Sequence, residues 1–254
     1  MTIALLVALA AGAVVLALVA GRAHARARAL ERRVGKATRE LERLQRAFAR
    51  FAPAAVVEEV VAGGALEPAK REVTVLFADL KGFTAMSDKL DPAVLVQVLN
   101  DYFRAMSQAI AAHRGYVAKF MGDGIMAIFG APEPNPWQAR DAVEAALAMR
   151  AALAVYNETL RAAGLPELAF GVGVHRGVVV AGILGSDELV EFTVIGDTVN
   201  VAARVESATR AHDVDILVTN EVKEKLDGRV RLRALPPARV KGKPEPIPIW
   251  AVEG

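Results

Sequence analysis

The stretch Val73-Thr-Val-Leu-Phe-Ala-Asp-Leu-Lys-Gly-Phe-Thr84 decides how the chain folds. Residues 73–78 are short, apolar and partly β-branched, which predicts a buried strand. Asp79 sits at its C-terminal end, and Gly82 and Thr84 open a turn and a short helix. Asp91-Pro92 then has the form of an N-cap followed by proline at the first helical position. The helix runs to about His113, with Val94, Leu95, Val98, Leu99 and Phe103 on its apolar positions, and Gly115 stops it. Tyr116–Met121 and Ile125–Phe129 are two further apolar runs. Gly122-Asp123-Gly124 lies between them, and Asp-Gly in that place signals a hairpin.

Downstream, Ala131–Pro136 reads as a loop and Trp137–Ala163 as a long amphipathic helix, ended by Gly164 and Pro166. Ala169–Ala181 is a strand rich in Gly and Val, and Leu189–Ile195 is another. Gly196 and Asp197 open a helix through Val201, Val205 and Ala208. Ile216–Val218 is a short strand, a short helix starts at Thr219, and Arg229–Leu235 and Ile247–Val252 close the chain. Strands alternate with helices, but hairpins are mixed in. This predicts an α+β sheet with antiparallel pairs and excludes a doubly wound parallel one.

Working back toward the N-terminus, the charge divides the chain. Residues 1–50 hold ten Lys/Arg and three Asp/Glu, whereas residues 51–254 hold 21 and 26. The basicity belongs to the N-terminal segment, and the acidic remainder is unsuited to nucleic acid. Met1–Gly21 has no charged side chain, and about 20 apolar residues span a hydrocarbon core of roughly 30 Å. The charged start of a signal peptide is missing, and Arg22, Arg26, Arg28, Arg32 and Arg33 follow the apolar run. The positive-inside rule then predicts a single-pass anchor in the cell (inner) membrane with the remainder cytoplasmic. Leu30, Val34, Ala37, Leu41, Leu44, Phe48 and Phe51 repeat at 4-3-4-3-4-3 spacing, a heptad seam suited to dimerisation. The expected organisation is a transmembrane helix (1–21), a basic heptad helix (22–52), a linker with a short helix (53–70) and a catalytic domain (71–254).

The chemistry-bearing residues are few. The 254 residues contain no cysteine, which excludes a disulfide scaffold, a thiol nucleophile and a Cys-based metal site. His24, His113, His175 and His212 have no ligand spacing. His113 fits a helix C-terminus, and His175 reads as structural. No G-x-x-x-x-G-K-[ST] and no G-x-S-x-G is present. Gly171-Val-Gly-Val-His-Arg-Gly177 lies inside a strand, where its glycines permit close backbone approach better than they bind a dinucleotide. Asp79 and Asp123 remain: a strand end and a hairpin turn that reach one edge if the hairpin pairs beside the first strand. Paired carboxylates there suit a hard divalent cation, although each could also serve only its own turn. The backbone amides at Phe83 and Thr84 open a helix and can receive phosphate oxygens. Arg204, taken alone, equally fits an ion pair with Glu206 or Asp197.

Three motifs taken together change the weight of these residues. Val75–Thr84, Lys119-Phe-Met-Gly-Asp-Gly124 and Phe192-Thr-Val-Ile-Gly-Asp-Thr-Val-Asn-Val-Ala-Ala-Arg204 resemble a class III nucleotide cyclase in order and spacing. Val240-Lys-Gly-Lys-Pro244 is similar to that family's terminal motif. The resemblance covers roughly residues 70–254. It implies a ferredoxin-like class III cyclase catalytic domain with a mixed, mainly antiparallel sheet. It also implies that Asp79, Asp123 and the Leu80 carbonyl bind two Mg²⁺ or Mn²⁺ ions per site. By the same resemblance, Lys119 and Thr193 read the base, Asn200 orients the ribose, Arg204 stabilises the transition state and Lys241 holds the terminal phosphates. A Lys at 119 donates to adenine N1 and cannot accept from guanine N1–H, so ATP is the expected substrate. A guanylate or mixed-specificity cyclase and a catalytically silent dimerising module are the alternatives. In the family the metal carboxylates and the base-reading, Asn and Arg residues of one site come from opposite subunits, which implies a symmetric homodimer with two sites.

Overall fold

The computed structural model describes residues 21, 22, 24, 26, 28, 30–43, 56, 58, 67–186, 190–239 and 245–253. The chain divides into two compact units, Met1–Val57 and Glu58–Gly254. In the first, residues 30–43 are helical, and the seam residues Leu30, Val34 and Leu41 are exposed. The expected membrane span, apart from its last residue, lies outside the described residues, as do Leu44, Phe48, Phe51 and Lys241. Among the described residues no helix is long and apolar enough to cross a membrane.

The second unit opens on β1 (Ala69–Leu80), followed by α1 (Phe83–Ser87) and α2 (Pro92–Ala112). The hairpin β2 (Tyr116–Met121) and β3 (Gly124–Phe129) leads to α3 (Gln138–Ala162) and β4 (Phe170–Gly185). Then come β5 (Val190–Ile195), α4 (Asp197–His212), β6 (Ile216–Thr219), α5 (Asn220–Lys223), β7 (Leu232–Ala238) and β8 (Ile247–Val252). The sheet order is β2-β3-β1-β4-β6-β8-β7, with β5 hairpinned onto β4. β4 and β6 are parallel; the other pairs are antiparallel. The first four long strands with α2 and α3 form a β-α-β-β-α-β unit in ferredoxin-like order, as the motifs imply.

Local chemistry explains the boundaries. The Asp91 carboxylate accepts from the Ala93 N–H at 2.9 Å and caps α2, with Pro92 inside the first turn. The turn between β2 and β3 is made by Gly122 and Asp123. Its left-handed residue is Gly122 (φ 64°), and Gly124 is already paired with Met121. Three strands are longer or shifted relative to the sequence reading. β1 begins at Ala69, because its polar start (Lys70, Arg71, Glu72) continues the backbone ladder to Val178–Val180. β4 extends to Gly185 because its far half pairs with β5. β7 carries Pro236 and Pro237, which an edge strand tolerates since one side needs no N–H donors.

The two faces of the sheet differ. Leu76, Ala78 and Leu80 of β1, Val172 and Val174 of β4, and Ile216 and Val218 of β6 pack with α2 and α3. Leu217 of β6, with Ile249 and Ala251 of β8, packs instead with Val201 and Val205 of α4. By strand alternation Asp79 belongs to the α4 face. That face of β4 reads Gly171, Gly173, His175, Gly177. A Cβ at Gly173 would lie 2.1 Å from the Glu206 nitrogen and 2.7 Å from the Ala202 oxygen. The glycine-rich strand is therefore a seat for a helix, in agreement with its reading as a place of close approach.

Candidate active site

Asp79 and Asp123 come to the same end of the sheet because β1 lies between β3 and β4, with Ala78 opposite Ile125 and Asp79 opposite Gly171. Gly124 keeps the hairpin close: a Cβ there would sit 3.3 Å from Asp79 Oδ1 and 3.4 Å from the Ala78 oxygen. The backbone amides of Asp123 and Leu80 favour the charged form of the Asp123 carboxylate. Burial raises its pKa, the negative charge of Asp79 raises it further, and those amides with Arg210 oppose the shift. A divalent cation would relieve both effects that disfavour the charged form. Among the described residues no cluster of three or more His, Asp or Glu forms a metal cage. Two carboxylates with open positions fit Mg²⁺ or Mn²⁺, which takes its remaining oxygens from backbone, substrate and water.

Two charged residues beside this pair have no site role in the sequence reading, where Glu206 enters only as a possible partner of Arg204. Arg210 Nη2 donates to Asp79 Oδ2, and Arg210 Nη1 is 3.3 Å from Glu206 Oε1. Glu206 is buried, with Ser207 Oγ donating to its Oε2 at 3.2 Å. Burial pushes the Glu206 carboxyl up to about 7, Arg210 opposes this, and Asp79 adds to it. The partner of Glu206 is thus Arg210 and not Arg204. The Tyr102 hydroxyl is fully buried and has no hydrogen-bond partner among the described residues, and burial and Asp79 raise its pKa. The only sequence signal for Glu206 and Arg210 is their i, i+4 spacing, which also marks ordinary surface pairs.

The other expected residues fall into three places. Phe83 and Thr84 begin α1, a helix of five residues whose N-cap is Gly82 (φ 72°). Lys119 on β2 pairs with Glu191 of β5 at 2.8 Å, and Thr193, two residues along that strand, is 5% exposed. Tyr116 and Phe192 also meet, at a centroid distance of 6.2 Å, so β2 and β5 converge. Asn200 and Arg204 stand one turn apart on α4, off the row of Val201, Ala202, Val205 and Glu206 that packs inward. Among the described residues, neither Asn200 nor Arg204 bonds to Asp79 or Asp123. Arg204 instead lines a cavity of about 380 Å³ with Ser207, His212, Pro237 and Arg239. Arg239 directly follows β7, two positions before Lys241 in the sequence. His175 is buried and its Nδ1 lies 2.8 Å from Thr219 Oγ1, which fits a structural residue. His113 caps the C-terminus of α2, 3.6 Å from Glu144.

A sheet of this order, with one carboxylate near the end of β1 and another in the β2–β3 turn beside it, fits a nucleotide-cyclase type of domain. The family profile described as the adenylate and guanylate cyclase catalytic domain matches residues 66–254, and the chain belongs to that family. It is 35% identical over 185 residues to adenylate cyclase 1 of Rhizobium meliloti (strain 1021), covering 73% of this chain and 28% of that protein. The crystal structure of the adenylyl cyclase CyaB from P. aeruginosa superposes with a TM-score of 0.70 at 32% identity, covering 74% of this chain and 97% of that one. A solved guanylyl cyclase gives a TM-score of 0.68 at 36% identity, covering 74% and 94%. The chain spans well under half the length of the curated relatives it matches.

Proposed function

We propose that the chain is an adenylate cyclase, converting ATP to 3′,5′-cyclic AMP and pyrophosphate. The observation that carries this reading is the convergence of Asp79 and Asp123, held together across Gly124, in a domain of the cyclase family. Asp79, Asp123 and the Leu80 carbonyl would hold the two metal ions. When bound, the ions favour ionisation of the ribose 3′-hydroxyl and offset charge on the triphosphate. Lys119 donates to adenine N1 and Thr193 accepts from the 6-amino group. Asn200 orients the ribose, and Arg204 donates to the charge that develops as the 3′-oxygen attacks the α-phosphorus. Phe83 and Thr84 N–H groups receive phosphate oxygens, and Lys241 holds the terminal phosphates.

The active form is a symmetric homodimer with two shared sites. Among the described residues Asn200 and Arg204 make no bond to the carboxylates of their own chain, and Arg204 lines a separate cavity, which supports completion of each site by a second copy. Phe120 and Met121, next to Lys119, are exposed large apolar residues, 50% and 43% accessible, which supports a covering partner. The exposed Leu30, Val34 and Leu41 supply a parallel seam. Residues 1–21 anchor the protein in the membrane, with the catalytic domain in the cytoplasm.

The test is product identity. The full-length protein in detergent is given ATP or GTP with Mn²⁺ or Mg²⁺, and cyclic nucleotide is quantified across protein concentration. Cyclic AMP rising faster than linearly with enzyme is the expected result. Cyclic GMP made in preference to cyclic AMP favours the guanylate reading, for which the 36%-identical guanylyl cyclase is the supporting observation. No product from a folded dimer leaves the silent module.

A further inference from the structure

Arg210 has no part in the reading above, yet it makes a direct contact with a proposed metal ligand. Its placement is a product of packing. Asp79 lies opposite Gly171 in the β1–β4 register, on the face that α4 covers. A Cβ at Gly171 would meet Thr209 Oγ1 at 2.1 Å and Glu206 Oε1 at 3.0 Å. The missing side chain lets the last turns of α4 settle beside the carboxylate. From there the guanidinium divides between two acids: Nη2 on Asp79 Oδ2, and Nη1 at 3.3 Å from Glu206 Oε1. Glu206 is held in turn by Ser207 Oγ at 3.2 Å.

We propose that Arg210 is a built-in cation that occupies Asp79 in the metal-free protein and yields it to the incoming divalent ion, so setting the affinity of the site for metal. This rests on the reading of Asp79 as a metal ligand. The charge balance supports it: the negative charges of Asp79, Asp123 and Glu206 act on one another, and Arg210 is the cation in contact with two of them, Asp79 and Glu206. Without a cation near Asp79, the carboxylates would repel across the β1 end. The contact is also exchangeable. The Arg210 and Asp79 side chains are 44% and 32% accessible, and so exposed an ion pair is weak against a dication. Glu206, one helical turn back and 8% accessible, is the buried anchor that keeps the guanidinium at the site when it leaves Asp79.

Arg210 is thus a positioning residue, and its effect is readable without turnover. Free Mn²⁺ is followed by EPR during titration of full-length protein, nucleotide absent. Arg210→Gln is expected to tighten Mn²⁺ binding about three- to tenfold, because it removes a competing charge. Arg210→Lys, which keeps the charge and loses the fork, should fall between the two. Arg210→Gln binding Mn²⁺ as the wild type does, or more weakly, overturns the proposal, as does Arg210→Lys binding more tightly than Arg210→Gln. Asp79→Asn separates the two levels of inference. If it abolishes Mn²⁺ binding while Arg210→Gln changes nothing, the metal site stands and the role of Arg210 falls. If Asp79→Asn leaves Mn²⁺ binding unchanged, both fall.

Discussion

Replacing Gly173 with alanine tests whether the seating of α4 on β4 holds the domain together. The new Cβ would lie 2.1 Å from the Glu206 nitrogen, 2.6 Å from the Glu206 Cα and 2.7 Å from the Ala202 oxygen. All three are backbone atoms, so no rotamer change relieves the clash. The helix must lift by on the order of 1 Å, which loosens Val201 and Val205 against Leu217, Ile249 and Ala251. Overpacking costs about 1–3 kcal/mol, and backbone opposition places this case at the upper end. The entropic gain of Gly→Ala, about 0.4–1 kcal/mol, offsets only part. The expected net loss is about 2–3 kcal/mol in urea unfolding, with a fall in cyclase activity because α4 carries Asn200 and Arg204. Gly177→Ala is the internal comparison. Its Cβ meets only the Thr198 side chain, with Oγ1 at 2.6 Å, which can turn away at the cost of its bond to the Val178 oxygen. That loss is about 1 kcal/mol. A Gly173→Ala protein within 0.5 kcal/mol of wild type by the same assay, and fully active, would refute the packing argument (~0.5 kcal/mol being the spread of neutral surface changes).

Asp79→Ala should lower cyclase activity by at least about 10³-fold while changing unfolding free energy by under about 1 kcal/mol, since its ion pair is partly exposed; wild-type turnover in the variant would remove Asp79 from the site. Lys119→Glu exchanges a donor for an acceptor and should shift the ratio of ATP to GTP use toward GTP by about tenfold or more; an unchanged ratio counts against Lys119 as a base reader. Glu206 supplies a pH test. Its folded pKa of about 7 exceeds the ordinary 4.5, so its stability contribution is full below about pH 4.5 and is lost as pH rises through 7. Glu206→Gln should therefore flatten the decline in urea midpoint between pH 5 and pH 8, and a slope as steep as wild type would show that another group carries it.

Much of the fold was legible because it rests on local rules. Asp91-Pro92 announced α2, Gly164 and Pro166 ended α3, and the apolar runs at 116–121 and 125–129 paired as a hairpin. The ends of β1 and β4 were not legible, because Lys70–Glu72 and the glycines at 182 and 185 have little strand propensity and are extended by the neighbours they pair with. Asp79 and Asp123 could be nominated from a strand end and a turn. Their meeting depends on β3 lying beside β1, a long-range choice.

The sequence by itself determined the family, the order of elements and the identity of the residues proposed for chemistry, since motif spacing is a property of the chain. Only the tertiary structure decided what surrounds them. Arg210 reaches Asp79 across 131 residues. Glu206 is buried and pairs with Arg210, and is not a surface partner of Arg204. Lys119 meets Glu191 across 72 residues. No spacing rule encodes such pairs. They follow from the face of the sheet on which each side chain emerges, and from the glycines on β4 that allow a helix to lie against it.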